Sequence, residues 1–211
     1  WKKVIELLTA DTPNGKKISI MLEEINYDYK VTKININKDE QFKPEFKKLS
    51  PFSKIPVIID HETKTSLFES GAILIYLGEK SGKFYDKDYR TVINQWLMGQ
   101  MAYVGPMLGQ HHQFHHYNPG KSEFGENRYF KISERIYKEL DERLSQSTFL
   151  AGNDYTIADI ATFPWIARHE WHDIGLKKFK NLNRWYDEIS NRKAVKRGYD
   201  LFKKGDCIPK A

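Results

Sequence analysis

Residue types able to bind and orient a small ligand gather in residues 52–72. Pro56 opens an apolar run, Val57-Ile58-Ile59. A strand tolerates proline at an edge or at its first position, because proline has no N–H for the ladder. The residue before proline is held extended. Ile55 can therefore offer its N–H and C=O to an extended peptide that adds as a strand. Thirteen residues after Pro56, Glu69-Ser70 opens a helical run. A helix start carries unpaired N–H groups and the positive end of the helix dipole, which suit a ligand carboxylate. An open peptide edge beside such a helix start describes a site for a small acidic peptide.

The elements that must hold this stretch begin upstream. Residues 4–8 read as a buried first strand, and residues 9–15 as a turn dense in breakers. Residues 16–25 place Ile18, Met21, Leu22 and Ile25 at helical spacing. Residues 29–34 alternate as a second strand. Strand, helix, strand predicts a βαβ unit with a parallel pair and a right-handed crossover. Residues 41–49 are partly helical. The hairpin and helix of residues 56–77 then complete β-α-β-α-β-β-α, the thioredoxin-like order, which ends near Gly82.

Residues 82–87 read as a linker, and beyond it strand patterns stop. Residues 88–116 predict one long helix kinked at Pro106, broken at Tyr117-Asn118-Pro119-Gly120. Residues 123–144 carry Tyr129, Ile132, Ile136, Leu140 and Leu144 as an apolar stripe. Helices over 156–167, 183–190 and 195–202 follow. Thr156 with Asp159 three residues on has the form of a capping box. The expected division is an α/β thioredoxin-like domain over residues 1–82 and an all-α domain over residues 88–211.

Ile55-Pro56-Val57 followed by Glu69-Ser70-Gly71-Ala72-Ile73 resembles the glutathione site of the glutathione transferases. The segment Ala151-Gly152-Asn153-Asp154-Tyr155-Thr156-Ile157-Ala158-Asp159 resembles the folding landmark of that family's helical domain. The turn Thr12-Pro13-Asn14-Gly15-Lys16-Lys17 is similar to the narrower nu class, which includes bacterial disulfide reductases and a yeast nitrogen-regulator relative. The resemblance implies a cis Pro56, with Ile55 pairing the cysteinyl backbone of glutathione and Glu69-Ser70 holding its γ-glutamyl end. It also implies glutathione-binding roles for Gln41, in Asp39-Glu40-Gln41-Phe42, and for Arg128, in Asn127-Arg128-Tyr129. The planar fork of Arg128 suits a carboxylate. Further implications are a homodimer, one or two glutathiones per site, no metal, and disulfide reduction with some peroxidase activity. Conjugation of small electrophiles and a non-catalytic regulatory role are the alternatives.

A thioredoxin-like fold places its reactive group between the first strand and first helix. Glutaredoxins carry cysteine there; this chain carries Thr12, with Asn14 two residues on. Neither is a thiol, so disulfide chemistry must borrow the thiol of glutathione, with Thr12 and Asn14 as donors that favour its thiolate. The sole cysteine, Cys207, is remote in sequence and cannot form an intrachain disulfide, which fits a reducing, cytoplasmic setting. The chain has 211 residues and a formal charge of +6, but its lysines are scattered among 28 acids. No basic run marks nucleic-acid binding, and no run of 18 apolar residues spans a membrane. The sequence opens at Trp1 without a signal-like segment. His111, His112, His115 and His116 form i,i+4 pairs without an H-E-x-x-H pattern. They are expected to line the mouth of the substrate cleft rather than hold a metal.

Overall fold

The computed structural model describes residues 5–211, in two compact units. One comprises residues up to Lys83 together with Lys193–Cys207; the other comprises Phe84–Arg192 and Ile208–Ala211. Val4, expected in the first strand, and Trp1 lie outside the described residues.

The first unit follows the expected order: β1 (Ile5–Thr9), α1 (Pro13–Ile25), β2 (Tyr29–Lys33), α2 (Pro44–Leu49), β3 (Val57–Asp60), β4 (Thr65–Phe68) and α3 (Ser70–Ser81). Two 3-10 turns, Ile36–Lys38 and Glu40–Phe42, lead into α2. The sheet order is β2-β1-β3-β4, with β1 parallel to β2 and antiparallel to β3. β1 is central and buried on both faces, which is why Ile5, Leu7 and Leu8 read as a near-continuous apolar run. Leu8 and Val57 pair across the strands and share a cluster with Ile34 and Phe46.

α1 starts earlier than its apolar spacing suggests. Thr12 caps it and Pro13 stands in its first turn, where the missing N–H costs nothing. It ends at Asn26, in the left-handed conformation.

The chain returns to this unit near its end. Helix α10 (Lys193–Tyr199) crosses α1, although the sequence reading left it with the helical domain. The crossing is close because residue 198 is glycine: a Cβ there would stand 2.5 Å from Ile20 Cα. Ser19 Oγ donates to Gly198 O at 2.6 Å, and Lys16 Nζ to Tyr199 O at 2.6 Å.

The second unit is helical: α4 (Arg90–Gly99), α5 (Gly105–His111), α6 (Glu123–Gln146), α7 (Ile157–Ile166), α8 (His169–His172) and α9 (Lys180–Ser190). The long helix expected over 88–116 is present but interrupted by two π segments, Gln100–Val104 and His112–Tyr117. The first directly precedes Gly105-Pro106. It absorbs the backbone bond that proline cannot make and the clash of its ring with the preceding turn.

Asp159 organises the core of this unit. The capping box with Thr156 forms, and the carboxylate also accepts from Leu150 N–H at 2.9 Å and Trp185 Nε1 at 2.8 Å. Burial pushes its pKa up to about 6, and the donors pull against that shift.

Candidate functional site

The register decides which loops meet. Leu8 pairs with Val57, and Val57 pairs with Phe68. The turn after β1, the residues before β3 and the residues after β4 therefore lie at one end of the sheet. Thr12, Ile55-Pro56 and Glu69-Ser70, far apart in sequence, are thereby collected in the first unit.

Thr12 Oγ1 accepts from the Gly15 N–H at 3.1 Å. A hydroxyl that accepts at a helix cap still carries its own proton to donate. Asn14, half-buried, stands one residue inside the helix. Gly15 is needed here, because a Cβ would meet Thr9 Oγ1 at 2.4 Å and Ala10 O at 2.6 Å. The close approach holds the helix start against the end of β1.

The Ile55–Pro56 bond is cis. Ser50 Oγ accepts from Lys54 N–H at 3.1 Å and donates to Lys54 O at 2.8 Å, which fixes the loop ahead of it. Ile55 is half-buried, and its side chain packs on the cluster of Leu8, Phe46 and Val57.

Glu69 has φ +70° and ψ 114°, a costly conformation for a residue with a Cβ. It is exposed and stands at the N-cap of α3, yet makes no side-chain cap. Ser70 is buried at the first helical position. Beneath it, Lys17 Nζ donates to Ser70 Oγ at 3.3 Å. Lys17 is itself 1% exposed. Burial holds its pKa well below the usual lysine range, and the charge of Glu69 works in the other direction. The helix start thus presents N–H dipoles, a hydroxyl and a buried amine on one side and a carboxylate on the other. That arrangement can hold an amino acid by both its charged groups.

Two family comparisons cover most of the chain. Residues 4–79 match the family described as Glutathione S-transferase, N-terminal domain, and residues 112–193 match Glutathione S-transferase, C-terminal domain. The chain belongs to the glutathione transferase family. The Disulfide-bond oxidoreductase YfcG of Escherichia coli is 42% identical to it, over 91% of this chain and 93% of that protein. A Burkholderia graminis glutathione transferase solved with two glutathione molecules per subunit is 38% identical, with a TM-score of 0.90 over 96% of this chain and 90% of that one. A Pseudomonas putida glutathione transferase solved with one glutathione disulfide per subunit is 39% identical, with a TM-score of 0.88 over 94% and 92%.

Within this glutathione transferase, the remaining sequence-selected residues are distributed as follows. Gln41 sits in the 3-10 turn Glu40–Phe42; its Nε2 donates to Ile36 O at 3.4 Å, and its buried Oε1 has no partner among the described residues. Arg128 is exposed on the first part of α6, in the second unit.

The histidines divide. His116 is exposed and stacks on Trp171 with ring centroids 4.1 Å apart. His111 and His112, expected at a cleft mouth, are instead buried in the interior of the second unit. They are held there by His172, on a short helix that the sequence reading missed. His112 Nε2 lies 2.8 Å from His172 Nε2, His172 Nδ1 lies 2.6 Å from Tyr137 OH, and His111 Nε2 donates to His172 O at 2.9 Å. Among the described residues, no group of three or more His, Cys, Asp or Glu is placed to hold a metal ion.

Cys207 is nearer to α1 than its sequence position implies. Lys16 Nζ stands 3.0 Å from Asp11 Oδ1 and 3.8 Å from Asp206 Oδ2, so the residue next to the cysteine reaches the α1 turn. The thiol is exposed and lines a cavity of about 730 Å³ with Tyr29, Val31, Arg197 and Phe202. That cavity is separate from the residues at the sheet end.

Lys17 is the site residue that sequence reasoning passed over. Its signal was available: it lies four residues before Met21, on the apolar side of α1.

Proposed function

We propose that this glutathione transferase is a glutathione-dependent disulfide-bond oxidoreductase that works with the thiol of bound glutathione. The observation that carries the reading is Thr12: a hydroxyl with a proton to donate stands at the turn where a glutaredoxin has its thiol. Identity of 42% with Disulfide-bond oxidoreductase YfcG over nearly the whole of both chains supports it.

In this reading Ile55 pairs with the cysteinyl backbone, and the α3 start with Ser70 takes the γ-glutamyl carboxylate. Glu69 takes the ammonium, while Gln41 and Arg128 contact the remaining peptide. Thr12 and Asn14 donate toward the sulfur. A free thiol has a pKa near ~8.5, and donors aimed at sulfur favour the thiolate. The thiolate attacks one sulfur of a substrate disulfide, giving a mixed disulfide and a substrate thiolate that takes up a proton. A second glutathione thiolate attacks the glutathione sulfur of the mixed disulfide. Glutathione disulfide forms, and the second substrate thiolate leaves. The same activated thiol would reduce hydroperoxides.

We further propose a cytoplasmic homodimer with small-molecule substrates. Among the described residues no helix is long and apolar enough to cross a membrane. Sedimentation at micromolar concentration separates dimer from monomer.

Turnover of hydroxyethyl disulfide with glutathione tests the function against conjugation of 1-chloro-2,4-dinitrobenzene. Disulfide reduction is expected to dominate; conjugation alone would overturn the reading. Glu69→Ala should weaken glutathione binding about tenfold or more, from the loss of a charge-assisted bond of ~1.5–3 kcal/mol. Unchanged affinity by calorimetry would remove Glu69 from the site.

A further inference from the structure

We infer that the cavity beside Cys207 is a second binding site of this protein, for a monocarboxylate carried on an apolar alkyl chain, separate from the residues at the end of the sheet.

The cavity has an apolar wall because of where β2 lies. β2 is an edge strand, and its side chains alternate between faces. Lys30 and Thr32 turn to one face, where both reach Glu6. Tyr29 and Val31 turn to the other and line the cavity. The segment after α10 supplies the opposite wall, with Leu201, which is buried, and Phe202. Its course is fixed. Lys203 and Gly205 take positive φ, +54° and +84°, and the Asp200 carboxylate accepts from Lys204 N–H at 2.7 Å and Gly205 N–H at 3.0 Å. The cavity is therefore preformed, and its volume of about 730 Å³ suits a small molecule.

Its charges select the ligand. The three carboxylates on its walls are all engaged by the chain itself. Asp200 holds the turn, Glu23 accepts from Tyr29 OH at 3.0 Å and Arg197 Nε at 2.6 Å, and Asp206 stands 3.8 Å from Lys16 Nζ. The cations are less engaged. Arg197 spends only Nε on Glu23, leaving its two terminal nitrogens without a partner among the described residues. Lys203 is exposed, and its ammonium has no partner among the described residues. An apolar wall beside unspent cations fits one carboxylate on a hydrocarbon body. Lys33 and Lys204 already stand 5.7 Å and 5.9 Å from the centre of the Phe202 ring. The branched side chains of Val31 and Leu201 are then the surface left for that body, which favours an alkyl chain over a stacked ring.

Cys207 is the only cysteine of the chain and lines this cavity, so its alkylation reports occupancy. Its rate of reaction with iodoacetamide, followed by mass spectrometry without glutathione, would be measured with decanoate and with decyltrimethylammonium, both below micelle formation. Decanoate should slow alkylation by about fivefold or more and saturably, and the cation of the same chain length should not. Lys203→Glu and Arg197→Gln should each raise the decanoate concentration needed by about tenfold or more. Lys87→Glu, a charge reversal at an exposed position in the other unit, should leave it unchanged. Glutathione affinity by calorimetry should agree within about twofold with and without decanoate, because the two sites are separate. The inference is overturned if decanoate gives no protection or the cation protects equally. It is also overturned if Lys203→Glu and Arg197→Gln both keep the original dose dependence, if Lys87→Glu shifts it as much as they do, or if decanoate displaces glutathione.

Discussion

Between pH 7 and pH 5 the helical unit is expected to lose stability, because buried histidines refuse protons that the unfolded chain takes up. Burial lowers His112 to a pKa of about 3 and holds His172 well below the ordinary histidine value. His111 is lowered too, again mainly by burial. Their geometry agrees: the facing Nε2 atoms of His112 and His172 share one proton, so both rings cannot be charged without breaking the contact. When folded pKa values are depressed, the unfolded chain binds protons that the folded chain refuses. Stability is then complete above the unfolded value near ~6.5 and is lost as pH falls below it. A refused proton contributes about 1.4 kcal/mol per pH unit, so His112 gives roughly 2 kcal/mol between pH 6.5 and 5, and His172 and His111 act in the same direction. Asp159, raised to about 6, opposes them by about 1.4 kcal/mol over the last pH unit. Arg168 and His116 add to the repulsion on His112. Four of the five tryptophans lie in this unit, so urea unfolding followed by fluorescence reports on it. His172→Phe should flatten the pH slope. Equal stability at both pH values would contradict the assignment.

Thr12→Ala is expected to lower glutathione-dependent turnover by about tenfold to a hundredfold without abolishing it. A single oxyanion donor is typically worth about 10²–10³ in rate. A sulfur anion is larger and more diffuse, which puts the effect at or below the lower end. The N–H groups of the α1 start remain and account for the residual activity. Loss of the cap itself costs about 1 kcal/mol of stability, so Thr12→Ser is the control: it keeps both the cap and the donor and should keep turnover. Asn14→Ala should behave as Thr12→Ala does. Full turnover in Thr12→Ala would mean that the hydroxyl serves only the helix.

What the sequence made legible was local. Thr12-Pro13 is a helix start, Ile55-Pro56 a strand start and Glu69-Ser70 a second helix start by residue chemistry alone. The strand order brings them together without further information. Lys17 and His172 were not legible in the same way. Lys17 was marked only by its spacing on the apolar side of α1, and His172 looks like a surface residue until the elements packed around it are known. The return of α10 to α1 depends on Gly198, whose missing side chain gives no signal of its own. The π segment before Pro106 illustrates the same limit. Proline announced a disturbance of the helix, but not that it would take the form of a π segment over Gln100–Val104.

The central claim is that the working thiol belongs to the ligand. Cys207 is the one alternative in the chain, and its neighbour Asp206 reaches Lys16 on α1. The most direct test is hydroxyethyl disulfide turnover by Cys207→Ser at saturating glutathione, beside the unmodified protein. The account predicts equal rates. Loss of turnover in Cys207→Ser would contradict it and assign the chemistry to the protein's own cysteine.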